Sequence, residues 1–160
     1  MVSKAFKIIF VSIVGCAVVV VIVCMIRFRM SESTTPTKST VTIGSSLVKV
    51  EIADSLVSQI RGLSGRENLS PDHGMLFVYA NKKIRNFWMN DMRFPLDVLW
   101  IADGKVVGMQ ENISHELVQG EVVRFKSNEP ADMALEVYAG FLVDHGVNIG
   151  DSAVLDRVAN

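Results

Sequence analysis

Apolar and charged positions alternate with period two over residues 47–52, where Lys49 and Glu51 separate Val48, Val50 and Ile52. This pattern predicts a half-buried strand. Asp54 follows as a candidate helix N-cap, with Leu56, Val57 and Ile60 at helical spacing and Gly62 as the stop. Residues 75–79, 96–101 and 105–109 are short apolar or alternating runs, and Ala102-Asp103-Gly104 between the last two predicts a hairpin turn. Residues 118–125 read as a further strand. Residues 130–145 place Met133, Ala134, Val137 and Phe141 at helical spacing before Gly146, and residues 152–155 read as a last short strand. The expected fold is a β-rich α+β domain over residues 47–156, a compact, curved, barrel-like antiparallel sheet with one or two short helices.

A different pattern precedes it. Residues 8–26 run for nineteen positions without a charge, and at about 1.5 Å per residue such a run crosses the hydrocarbon core of a bilayer as one helix. Residues 1–7 are then a short cytoplasmic N-terminus, 8–26 a signal anchor, and 27–46 a Ser/Thr-rich tether. The rival readings are a cleavable signal peptide and a lipoprotein signal that would put a lipid on Cys16. The first is opposed by the length of the run, the second by the apolar residues that continue from Ala17 to Ile26. Basic residues on the two flanks nearly cancel, and the free N-terminus tips the expectation toward a cytoplasmic N-terminus and an extracytoplasmic domain.

Charge and cysteine content narrow the chemistry. Residues 41–160 carry eleven Lys plus Arg and sixteen Asp plus Glu, a formal charge of −5, which argues against a nucleic-acid partner. Cys16 and Cys24 both lie in the apolar run, so the domain has neither an internal disulfide nor a thiolate nucleophile. His73, His115 and His145 stand singly without zinc-ligand spacing. His115-Glu116 has no second histidine four positions on, and the five methionines of the domain do not cluster. Neither a metal nor an organic cofactor is expected.

Four segments stand in series: Arg61-Gly62-Leu63-Ser64-Gly65-Arg66, then Gly74-Met75-Leu76-Phe77, then Phe87-Trp88-Met89-Asn90 with Pro95-Leu96-Asp97, and finally Leu135-Glu136 with Ala139-Gly140-Phe141. Together they resemble the family catalogued as domain of unknown function 192. The resemblance implies a compact, mainly β domain, often exported or membrane-tethered, and no established reaction, cofactor or partner. Asn90, Asp91 and Met92 stand where members commonly carry Lys-Asn-Thr, and Tyr138 where they often carry Asn.

Two constellations carry candidate chemistry. Arg61 and Arg66 flank a turn of small residues, and Trp88 and Asn90 add an aromatic face with a polar tip, so these four form a candidate site for a small polar or anionic ligand. Asp97 and Glu136 each sit in an apolar run, where a carboxylate needs a partner. They are either internal braces, held by arginines or turn amides, or a general acid and base. The expected function is therefore a tethered, non-catalytic module that binds a small ligand or an envelope partner. The alternatives are a small hydrolase or isomerase using Asp97 and Glu136, and a structural assembly protein; oligomeric state is left open.

Overall fold

The computed structural model describes residues 39–157. The expected cytoplasmic N-terminus, the anchor over residues 8–26 and the first part of the tether lie outside the described residues. Nine strands and two short helices follow in chain order: β1 (Ser39–Ile43), β2 (Ser46–Ala53), α1 (Leu56–Arg61), β3 (His73–Lys83), β4 (Asn86–Trp88), β5 (Leu96–Ala102), β6 (Lys105–Ile113), β7 (Arg124–Lys126), β8 (Ala131–Tyr138), α2 (Phe141–Asp144) and β9 (Ala153–Asp156). Residues 39–46, expected as the end of the tether, are β1, its turn and the first residue of β2. The reason is pairing: Ser39, Thr40 and Thr42 are polar, but β1 is bonded to β2 on one side and β9 on the other.

Seven strands form one sheet in the order β6-β5-β8-β3-β2-β1-β9, and β4 and β7 form a separate ribbon. The sheet is not wholly antiparallel as expected, because β2 and β3 run parallel. A parallel pair needs a long crossover, which α1 and residues 62–72 supply. The two ends of the strand order meet where Ala153 N–H donates to Gly104 O at 2.8 Å and Val106 N–H to Asp151 O at 2.9 Å. The sheet thus curls into a half-barrel. Both of its faces are buried. Val41, Val48, Leu76, Leu99, Leu135 and Phe141 belong to one core, and Met75, Phe77, Phe87, Val98, Trp100 and Ala134 to the other.

The hairpin turn forms as expected, with Asp103 at φ 51° and Gly104 at φ 70°, the two positive values that suit a tight two-residue β-turn. Three local expectations change. Residues 131–138 form a strand instead of a helix, because β8 lies between β3 and β5 with both faces covered. A doubly buried strand reads as a continuous apolar run that periodicity cannot separate from a helix. Residues 118–125 are not one strand: Gln119 and Gly120, at φ 55° and 82°, make a tight turn before β7 begins at Arg124. The cap of α1 is Ser55, not Asp54. Its hydroxyl accepts from Ser58 N–H at 3.2 Å, and Ser55 N–H donates to Ser58 Oγ at 3.1 Å, a reciprocal capping box.

A candidate binding cavity above Glu136

The β5–β8 register sets the two candidate carboxylates apart. Asp97 pairs with Val137 and Glu136 with Val98, and neighbouring positions along a strand point to opposite faces. Asp97 is fully buried. It accepts from Asn112 N–H at 2.7 Å, Gly140 N–H at 3.0 Å and Leu142 N–H at 3.0 Å. It braces the end of β6 and the start of α2 through turn amides, and no arginine is involved.

Glu136 faces the other way, with Met75 and Val98 beside it across the strands. It is 5% exposed, and its Oε2 has no hydrogen-bond partner among the described residues. Burial pushes its carboxyl up to about 8, opposed only in part by the positive charge of Arg66. Arg66 is already engaged: its Nη1 and Nη2 donate to Glu51 Oε1 and Oε2 at 2.5 and 2.6 Å. This charge-assisted pair holds Glu51 below the usual carboxylate range. Glu136 is thus not an arginine-paired brace.

A cavity of about 180 Å³ opens over this carboxyl. It is lined by Leu56 and Ile60 of α1, Phe77 and Tyr79 of β3, Phe87 and Trp88 of β4 and Glu136 of β8, with Leu63, Met89 and Met92 from the connecting segments. The walls are fixed from behind. Gln59 Nε2 donates to Val78 O at 2.8 Å and docks α1 on β3. Phe87 packs edge-on against both Phe77 and Trp100, with centroids 4.9 and 5.1 Å apart. Tyr79, its hydroxyl pushed up to about 12 by burial, carries the Arg85 guanidinium 3.7 Å from its ring centroid. Leu56 and Ile60 remain 73% and 55% exposed and Trp88 38% exposed, so apolar surface is accessible at the mouth beside the exposed Arg61 and Asn86.

The four expected ligand residues do not converge. Arg61 and Trp88 line the cavity, whereas Arg66 and Asn90 are absent from its wall. Asn90 acts through its backbone: Ser64 Oγ donates to Asn90 O at 2.8 Å, and Gly65 N–H to Asp91 O at 2.8 Å. These bonds, with Gly62 N–H to Ser58 O and Arg66 N–H to Leu63 O, consume amides that an anion would need. The glycine turn is therefore a clasp between α1 and residues 89–92. The sequence does not mark Phe77, Tyr79 and Leu56 as cavity residues, since each reads locally as an ordinary strand or helix position. Among the described residues no three His, Cys, Asp or Glu side chains converge as metal ligands. His73 binds Asp72 and His145 meets Ser46.

Two solved structures are similar to the chain. One, from Sinorhizobium meliloti 1021 and described as a putative transcription regulator, is 31% identical. The match covers 74% of this chain and 91% of that one, with a TM-score of 0.64. The other, a protein of unknown function from Novosphingobium aromaticivorans, is 24% identical over 72% of this chain and 83% of that one; its TM-score of 0.65 shows the shared fold. No curated protein matches the chain. The family model described as Uncharacterized ACR, domain of unknown function 192, matches residues 39–155. That span takes in the whole half-barrel, from β1 into β9, and the chain belongs to the domain of unknown function 192 family.

Proposed function

We propose that this protein is a membrane-anchored, non-catalytic binding module whose small ligand enters the cavity above Glu136. The observation that carries the reading is an unpartnered, buried carboxyl at the base of an aromatic-walled cavity with an open mouth. Small-molecule sites combine an apolar lining with a few fixed polar groups in this way. The volume suits one ring or one branched alkyl head, since a cavity of about 150 Å³ holds a benzene. The uncharged run at residues 8–26 supports the anchor, with the N-terminus cytoplasmic and the domain extracytoplasmic.

Catalysis by a carboxylate pair is disfavoured, because Asp97 is held by three amides on the opposite face and Glu136 is the one acidic side chain on the cavity wall. A DNA-directed role is disfavoured by the formal charge of −5 over residues 41–160. The test is a titration of the ¹⁵N-labelled full-length chain with indole. Saturable shifts at the Trp88 indole N–H and the Phe87 amide are expected, and Trp88→Ala should abolish the saturable shift at Phe87 with the rest of the spectrum intact. Titration to the solubility limit without a saturable shift at these groups would overturn the reading.

A further inference from the structure

The cavity holds a potential negative charge inside a shell of rings, and its other polar wall groups are tied down or displaced to the rim. Gln59 donates its amide to Val78 O, and Ser64 its hydroxyl to Asn90 O. Arg61 and Asn86 are exposed at the rim. A ligand head that reaches the base therefore meets one carboxyl, aromatic carbon and the Tyr79 hydroxyl. We infer that this cavity recognises a methylated alkylammonium, with Glu136 as its counter-ion and the rings of Tyr79, Phe87 and Trp88 around the cationic head. The inference rests on the cavity being the ligand site and adds the chemical class of the ligand.

Three physical arguments select this class. An anion at the base would face the Glu136 carboxyl, because Arg66 is held by Glu51, the glycine-turn amides are used internally, and the remaining guanidinium of the wall, Arg61, is exposed at the rim. A primary ammonium carries three N–H donors and a tight hydration shell, which the Glu136 carboxyl and the Tyr79 hydroxyl would have to replace, so burying it here costs more than burying a methylated head. A head sheathed in methyl groups has no such donors, fits a volume close to that of one ring, and is attracted by ring faces as well as by charge.

Protonation gives the inference a signature. The groups facing Glu136 are Arg66 with its partner Glu51 from β2, Arg61 at the end of α1, and Tyr79 on β3, whose ring carries Arg85. Burial keeps Glu136 largely protonated at neutral pH, with its midpoint at about 8. A cation binds the ionised form, so it releases a proton on binding and its affinity rises with pH up to that midpoint. A neutral hydrogen-bond acceptor prefers the protonated form and gives the opposite slope.

The experiment compares choline with its uncharged isostere 3,3-dimethyl-1-butanol on the full-length chain, by shift titration at pH 6 and pH 9. Choline should bind at least tenfold more tightly at pH 9 than at pH 6, and more tightly than the alcohol at pH 9. Glu136→Gln should erase the advantage of choline while the alcohol still binds. Equal affinities for the two probes at pH 9, or choline binding indifferent to Glu136→Gln, would overturn the ammonium assignment and leave the cavity as a site. If neither probe binds while indole does, the ammonium assignment again falls alone; if indole also fails, both readings fall.

Discussion

Asp97 on β5 and Glu136 on β8 are one register position apart, yet their side chains leave opposite faces of the same sheet. One carboxylate is enclosed by three backbone N–H donors, whereas the other has an oxygen without a partner beside a cavity. Two acidic groups that look alike in sequence thereby meet different surroundings, one enclosed by turn amides and one left beside the cavity.

Removing the Asp97 side chain should orphan the amides of Asn112, Gly140 and Leu142 together. Hydrogen bonds to a charged acceptor are individually worth about 1.5–3 kcal/mol and are not additive, so Asp97→Ala should cost on the order of 4 kcal/mol. Asp97→Asn keeps one acceptor oxygen and should lose about half as much. Urea denaturation of the three proteins checks this, and a loss below about 1 kcal/mol for the alanine variant would remove the bracing role.

Glu136 should act on stability in the opposite sense to a paired carboxylate. Its folded-state midpoint of about 8 lies above its ordinary value of 4.5. Between these values the folded chain retains a proton that the unfolded chain has released, so stability falls as pH rises through that window, by up to about 1.4 kcal/mol per pH unit. Above the folded midpoint the loss is complete and the contribution is flat. Glu136→Gln should abolish this slope and be the more stable protein at pH 9, measured by denaturation at a series of pH values. Parallel curves for parent and variant would show that Glu136 is not held protonated.

Arg66 lies between two acidic groups and is bound by one. With the Glu51 side chain removed, its guanidinium is free to turn toward Glu136, whose pKa it already draws down. Glu51→Ala should therefore move the Glu136 midpoint below 8, and Arg66→Gln should move it up. Carboxyl ¹³C NMR reads both shifts, and movement of the two variants in the same direction would contradict this arrangement.

The proposed anchor makes a separate prediction. The full-length chain should stay in the membrane pellet through high-salt and carbonate washing, because an apolar run of nineteen residues is held by the hydrocarbon core rather than by charge. Cysteines placed in residues 31–38 should react with an impermeant reagent on intact cells. Carbonate release would remove the anchor, and protection of the cysteines would reverse the orientation.

Local pattern alone determined the elements whose signals are local. The alternation of Lys49 and Glu51 with valines marked β2, Asp103-Gly104 marked the β5–β6 turn, and four short segments marked the family. Elements defined by what lies beside them were not legible. Residues 131–138 have helical spacing, yet burial between β3 and β5 makes them a strand. Ser39, Thr40 and Thr42 look like tether, yet all three pair with β2, and Thr40 and Thr42 pair with β9 as well. The site divides in the same way. Trp88 was legible as an aromatic ligand candidate and Glu136 as a carboxylate in an apolar run, because residue type alone marks them. That Arg66 is committed to Glu51, that the glycine-turn amides are consumed, and that Asp97 and Glu136 face opposite ways was decided by tertiary structure. Strand register and pairing join positions far apart in the chain, and a one-residue step in register exchanges the two faces of a sheet.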